Sequence, residues 1–121
     1  MNNREIAERI FLAGIKGVLP GKVISELISI NGSLLSIGYL SFDLDKIGNI
    51  YIVGAGISSA AMGHYVENIL EERIRGGCIV TAYSHFCRLK KVEVIEAACL
   101  VPDLNSFSAA DRIRQIAAGA S

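Results

Sequence analysis

The sequence has no excess charge of either sign, since its 121 residues carry 12 basic and 12 acidic side chains. This balance excludes the basic surface of a typical nucleic-acid-binding domain. Long apolar runs are also missing, and none approaches the roughly 18 residues that a membrane-spanning helix needs. The polar first residues do not resemble a secretory signal. We therefore expect a cytoplasmic protein with no nucleic-acid and no membrane partner.

Cysteine is scarce, and its three copies, Cys78, Cys87 and Cys99, include no Cys-x-x-Cys pair. An odd number without that spacing argues against a disulfide framework and fits a reducing compartment. A zinc site from His64, His85, Cys87 and Cys99 would match no structural zinc spacing. We therefore expect ordinary thiols and no metal.

Apolar side chains are abundant: they make up 51% of the sequence, and the mean hydropathy is +0.42. The length suits one domain, residues 1–121. Hydrophobic periodicity predicts helices at 4–18, 22–30 and 57–73 and a last helix from Ser106 or Ser108. Extended segments are predicted at 34–42, 50–53, 78–81 and 92–96. This alternation predicts an α/β fold, a three-layer αβα Rossmann-like domain with a mostly parallel sheet and strand 50–53 at its centre.

The most informative motif is the turn that follows the apolar strand 50–53. Gly54 and Gly56 end the strand, and Ser58 and Ser59 open a helix whose N–H groups can hold an anion. The two serine hydroxyls are candidate donors to that anion. A tight turn that binds nothing is the alternative. Binding of NAD is disfavoured, because the next strand ends without the carboxylate that holds the ribose.

Two further side chains are predicted near this turn. His85 follows strand 78–81 and Asp103 follows strand 92–96, so both should lie at the carboxyl edge of the sheet, where α/β proteins bind ligands. Either residue has an alternative interpretation, as a loop histidine without function or as a turn-capping carboxylate. His64 is predicted to be a solvated residue on the polar side of its helix.

Several motifs in order carry a family resemblance: Gly54-Ala55-Gly56 with Ser59-Ala60-Ala61-Met62, the run from Gly76 to His85, Val94-Ile95-Glu96-Ala97, and Val101-Pro102-Asp103. Together they resemble the N-terminal region of bacterial glycerate 2-kinases, which are also named hydroxypyruvate reductases. That region of the family is called the MOFRL-associated domain. The resemblance runs from about residue 4 to residue 117.

The resemblance implies ATP-dependent transfer of phosphate to the 2-hydroxyl of D-glycerate, with ATP and Mg²⁺ as cofactors. It also implies a second domain across a catalytic cleft. Two positions depart from the family pattern: Ile57 replaces a lysine of the glycine turn, and Cys99 replaces a histidine before the Pro102-Asp103 pair. The chain is also much shorter than family members. We therefore expect a degenerate, truncated relative that is not a kinase on its own.

Two other functions stay open from the sequence. Gly54-Ala55-Gly56-Ile57-Ser58 is similar to the phosphate-binding turn of sugar isomerase domains, which would make the chain a phosphosugar-binding module. The chain could instead be a non-catalytic remnant that acts by association. Its apolar content predicts a homo-oligomer or a partner chain that supplies the missing domain. The expected contact surfaces are the first helix, with Ile6, Ile10 and Phe11, and the extended segment 34–42.

Overall fold

The computed structural model describes residues 1–120 and shows an α/β chain with two sheets. The helices are α1 (Asn3–Gly17), α2 (Pro20–Leu27), α3 (Ser59–Leu70) and α4 (Leu104–Gly119), with short 3-10 turns at Leu44–Lys46 and Glu71–Arg73. The strands are β1 (Ile28–Asn31), β2 (Leu34–Ile37), β3 (Leu40–Asp43), β4 (Ile50–Ala55), β5 (Ile74–Ala82) and β6 (Glu93–Ala97).

The parallel sheet has the strand order β4-β5-β6. The prediction that 50–53 forms the central strand is therefore wrong, because β5 is central and β4 is paired with β5 alone. Strand β5 also includes Gly76 and Gly77, which lie before the predicted extended segment 78–81. A Cβ at residue 77 would overlap the carbonyl oxygen of Ile52 on β4, so glycine allows the two strands to approach.

A second sheet, antiparallel and of order β1-β2-β3, was not predicted. The predicted helix 22–30 ends at Leu27, and its last residues form β1. The predicted extended segment 34–42 is a hairpin, in which Gly38 turns the chain with a φ of 58°. The short alternation Ile28-Ser29-Ile30 fits a strand as well as a helix, which explains the error. A mostly parallel sheet therefore describes only part of the chain.

Helices α3 and α4 flank the parallel sheet. Gly63 brings α3 close to β5, since a Cβ there would overlap the side chain of Ile79. The core around this contact includes Ala60, Leu70, Ile74 and Ile79, all at most 5% exposed. Within residues 1–120, no helix is both long enough and apolar enough to span a bilayer.

Candidate functional site

The glycine turn joins the carboxyl end of β4 to α3. Gly56 has a φ of 125°, a region that residues with a Cβ rarely adopt, and its N–H donates to the carbonyl of Val80 on β5 at 3.1 Å. The sequence therefore needs glycine here to turn the chain from the sheet into the helix. This bond fixes the turn against the central strand.

The two serines of the turn have different roles. The hydroxyl of Ser59 is buried and lies 2.6 Å from the carbonyl oxygen of Gly56 and 2.9 Å from that of Val80. Its single proton is thus used within the turn. Ser58, at the N-cap of α3, is exposed and makes no side-chain capping bond. Among residues 1–120, no protein acceptor lies within hydrogen-bond range of the N–H of Ile57 or Ser58, so this end of α3 offers free donors.

A cleft of about 400 Å³, which we call the helix cleft, lies between the end of β4 and α3. The turn contributes Gly54, Gly56, Ser58 and Ser59 to its wall. The remaining wall is largely apolar and includes Met62. Four of the sequence-predicted site residues therefore line one cavity.

A smaller cleft of about 210 Å³, the sheet-end cleft, lies at the carboxyl ends of β4, β5 and β6. Its wall includes Gly56, Ile57, Cys99 and Ser106. Ile57 is held there because the hydroxyl of Thr81 donates to its carbonyl oxygen at 3.1 Å. The structure thus brings together Ile57 and Cys99, the two positions at which the resemblance implies a departure from the family pattern. Neither Ile57 nor Cys99 supplies a cation to this cleft.

Asp103 lies beside the sheet-end cleft rather than in its wall. It is the N-cap of α4, where it accepts a bond from the N–H of Ser106 at 3.0 Å. The hydroxyl of Tyr83 donates to its Oδ2 at 2.6 Å. This bond, with the capping bonds, lowers the pKa of Asp103 to about 2 and raises the pKa of Tyr83. Asp103 is therefore a carboxylate at neutral pH, and its oxygens hold α4 and β5 together.

Tyr83 and Asn105 also belong to this network, and neither was predicted from the sequence as a site residue. The amide of Asn105 donates to the Tyr83 hydroxyl at 3.1 Å and to the carbonyl of Glu96 at 3.0 Å. The only signal in the sequence was that each of these polar residues follows a predicted strand. The contact between their side chains is visible only in the fold. The network connects the ends of β5 and β6 to the first turn of α4.

The two histidines lie outside both clefts. His85 is exposed in the loop after β5, and its N–H donates to the carbonyl of Ala82 at 3.1 Å. The preceding residue, Ser84, has a positive φ of 66°, which bends the loop. His64 is half-buried on α3, where its ring nitrogen lies 3.2 Å from the amide of Asn68. Neither imidazole contributes to a wall of the helix cleft or the sheet-end cleft.

Glu67 is a buried carboxylate on α3. It is 6% exposed and accepts the N–H groups of Lys90, at 2.5 Å, and Lys91, at 3.1 Å. It therefore anchors the loop before β6 to α3. The helical spacing of polar and apolar side chains could not reveal this role, because the donors are backbone N–H groups that are distant in sequence.

Carboxylates, thiols and imidazoles do not gather into a metal site. In the part of the chain that the structure describes, no group of three or more His, Cys, Asp or Glu residues could hold a metal ion. The three cysteines are all free, with Cys78 buried and Cys99 exposed. Burial raises the pKa of the Cys78 thiol, so this thiol stays protonated at neutral pH.

Comparison with known proteins places this geometry in context. Residues 6–121 match the model of the family "Domain of unknown function (DUF4147)". The sequence is 27% identical over 107 residues to the glycerate 2-kinase of Pyrococcus horikoshii, an alignment that covers 88% of this chain and 23% of that enzyme.

Two solved structures share the fold. A crystal structure of a Pyrococcus horikoshii protein superposes with a TM-score of 0.86 at 27% identity, covering 99% of this chain and 27% of that one. The crystal structure of glycerate kinase from Thermotoga maritima gives a TM-score of 0.69 at 23% identity, covering 93% of this chain and 24% of that one. At the latter identity the likeness concerns the fold alone. The chain spans about a quarter of the length of these relatives.

Proposed function

This chain belongs to the DUF4147 family of domains, and from that premise we propose that it is an oxyanion-binding lobe of the glycerate 2-kinase type. The anion would be a phosphate or carboxylate group of the kind that ATP and D-glycerate carry. The lobe binds this group at the glycine turn. On its own it does not transfer phosphate.

The observation that carries the proposal is the set of free donors at the start of α3. The N–H groups of Ile57 and Ser58 have no acceptor among residues 1–120, and the Ser58 hydroxyl makes no capping bond. The partial positive charge at a helix N-terminus favours an anion beside such donors. Gly56 borders both clefts. The anionic group at this turn can therefore belong to a ligand that occupies either cleft.

The lack of catalysis follows from the sheet-end cleft. Phosphoryl transfer depends on fixed cations that neutralise charge on the transferring group. The resemblance implies a lysine at position 57 and a histidine at position 99, and this chain has isoleucine and cysteine there. Both residues line the same cleft, so both losses act at one place. Removing a single such donor typically costs ~10²–10³-fold in rate.

The cofactors implied by the family fit this chain only in part. A divalent cation prefers several carboxylate or carbonyl oxygens, and residues 1–120 contain no cluster of three or more His, Cys, Asp or Glu residues that could hold one. The Asp103 carboxylate is already used by Tyr83 and by the α4 cap. The proposed function therefore includes no step at a magnesium ion. ATP, by the same resemblance, would present its phosphates to the glycine turn.

A second lobe is proposed to cover the rim of the sheet-end cleft. Next to Cys99, the segment that leads into α4 exposes four large apolar side chains, Leu100, Val101, Leu104 and Phe107. An exposed apolar rim beside a ligand cleft is typical of an interface. We assign it to the remainder of a glycerate-kinase fold, because the relatives are about four times as long as this chain.

The proposal is tested by backbone NMR titration with ATP, D-glycerate and fructose 6-phosphate in separate arms. ATP or D-glycerate should shift the amide signals of Ile57 and Ser58 in a saturable manner. Replacing Ser58 with alanine should weaken that binding, and replacing the exposed Ser108 should not. Saturable binding of fructose 6-phosphate alone would favour the phosphosugar module. Shifts that spare residues 56–58 in all arms would overturn the proposal.

A further inference from the structure

A further cleft, of about 440 Å³, lies at the end of the parallel sheet opposite the glycine turn. Its wall includes Gly48 and Asn49, which precede β4, and Arg73, Arg75 and Lys91. A neighbouring cavity of about 470 Å³ shares Gly48 and Arg73 with it. We call the cavity of 440 Å³ the basic cleft, since three of its wall residues are cations and one, Glu72, is an anion.

The cations of the basic cleft are unevenly compensated. Lys91 pairs with Glu72, whose Oε2 lies 2.6 Å from the lysine Nζ. Among residues 1–120, neither Arg73 nor Arg75 has a carboxylate within 4.0 Å, the limit for an ion pair. Arg73 makes one long bond, 3.4 Å from its Nη2 to the carbonyl oxygen of Gly32. Arg73 and Arg75 thus border a cavity whose one anion, Glu72, is paired with Lys91.

The backbone adds donors at the same place. Gly48 has no side chain and borders the cleft with its main chain. In the described residues, the N–H groups of Gly48 and Asn49 have no protein acceptor. Free amides next to uncompensated guanidinium groups are the donor set that tetrahedral oxyanions require, because the planar arginine fork matches two oxygens of a phosphate.

We propose that Gly48, Asn49, Arg73 and Arg75 form a binding site for a phosphate group, either free phosphate or a phosphate monoester. A bound phosphate would supply the anionic partner that neither arginine has among residues 1–120. The site lies at the amino end of β5, whereas the glycine turn lies at the carboxyl end, so the two sites are independent.

Inorganic phosphate is the probe in a titration that follows backbone amides and arginine Nε signals at constant ionic strength. Saturable shifts are expected at Gly48, Asn49, Arg73 and Arg75. Replacing Arg75 with glutamine should weaken the binding of phosphate about tenfold, the usual effect of losing one charge-assisted contact. The Arg75 side chain is exposed and makes no hydrogen bond or ion pair with another described residue, so this variant should keep the fold. The matched control is Arg4→Gln, at an exposed arginine of α1.

Three outcomes would overturn the proposal: shifts that grow linearly with phosphate, equal shifts with chloride, or Arg75→Gln behaving like Arg4→Gln. Ser58→Ala separates this site from the proposed function, since it should leave the basic cleft unaffected. Shifts confined to residues 56–58 would support the glycine-turn proposal and contradict this one. A second titration with glycerol 3-phosphate distinguishes a monoester site, which should bind it comparably, from a site for free phosphate.

Discussion

Ile57 and Cys99 line the same cleft of about 210 Å³, although one follows β4 and the other follows β6. The parallel pairing of the three strands brings their carboxyl ends to one edge of the sheet and so brings these residues together. The two departures that the resemblance implies are far apart in sequence but lie at one place in the structure. An aliphatic side chain and a thiol stand where the resemblance implies two ionisable nitrogen groups.

The close contact between β4 and β5 predicts a strong effect of a methyl group at residue 77. Gly77→Ala should destabilise the fold by about 3 kcal/mol, because the new Cβ overlaps the Ile52 carbonyl and the backbone must move. Gly14→Ala is the control, because a Cβ there would meet nothing within 4 Å beyond its own helix backbone and chain neighbours. This variant should raise the free energy of unfolding by about 0.5–1 kcal/mol. Urea unfolding of both variants measures the difference. Equal free energies of unfolding would contradict the pairing of these strands.

The buried carboxylate of Glu67 predicts a second stability effect. Glu67→Ala leaves the N–H groups of Lys90 and Lys91 without their acceptor and should cost on the order of 3 kcal/mol. Glu71→Gln, at an exposed carboxylate just past α3, should change the free energy of unfolding little. Hydrogen exchange provides the local readout, because the amides of Lys90 and Lys91 should lose protection in the alanine variant. Unchanged protection there would argue against the anchor.

The bond between Tyr83 and Asp103 predicts a pH dependence in acid. Because the folded pKa of Asp103 is lowered to about 2 from its ordinary 3.8, the stabilisation is complete above about pH 4 and is lost as the pH falls toward 2. Tyr83→Phe removes the main cause of this shift. Its melting temperature should therefore fall less steeply than that of the wild type across this range.

Tyr39→Phe is the control for this measurement, since Tyr39 is 98% exposed at the tip of the hairpin. It should reproduce the wild-type profile. The pKa of Tyr83 is raised, so its contribution is complete below its ordinary pKa and is lost as the pH rises through the folded value. Parallel melting profiles for Tyr83→Phe and wild type in acid would show that the bond does not act in solution.

The exposed apolar face of α1 predicts self-association with a second copy. None of its residues is buried, and Ile10 and Phe11 are 69% and 66% exposed. The same helix carries Arg4, Glu5, Glu8 and Arg9, a mixture of charges that an antiparallel copy can complement. A standard interface of about 800 Å² per partner, at roughly 25 cal/mol per Å² of apolar area, gives a substantial driving force.

Sedimentation velocity tests this association. The wild type should sediment as an oligomer at micromolar concentration, and Phe11→Glu should shift it toward the monomer. Leu100→Glu, at a 94% exposed position on a different surface, should leave that equilibrium unchanged. A wild-type monomer, or equal effects of the two substitutions, would contradict the role of α1.

The sequence predicted the parallel part of the fold and the position of the glycine turn. Its success rests on β-branched runs, as in β4, and on glycines that mark sharp turns. The resemblance to the N-terminal region of the glycerate 2-kinase family is confirmed by the family match over residues 6–121 together with the 27% identity to the Pyrococcus horikoshii enzyme. The strand order was not predictable, because the apolar runs of β4 and β5 look alike and either could be central.

Less of the site could be read from the sequence. The glycine-turn motif predicts both Ser58 and Ser59 as donors to an anion. Only the fold shows that the Ser59 hydroxyl lies within hydrogen-bond distance of two carbonyl groups and that Ser58 is exposed. The role of Glu67 depends on backbone donors, and that of Tyr83 on a helix cap distant in sequence. Such contacts follow from tertiary structure rather than from any periodic signal.

The most direct test of the account is a time course of 2-phosphoglycerate formation from ATP and D-glycerate, with Mg²⁺ present and this chain as the sole protein. The glycerate 2-kinase of Pyrococcus horikoshii serves as the positive control. We expect formation at the background rate, since the cleft that holds Ile57 and Cys99 lacks the cations that phosphoryl transfer needs. Product formation above background that is lost in the Ser58→Ala or Asp103→Asn variant would contradict the account.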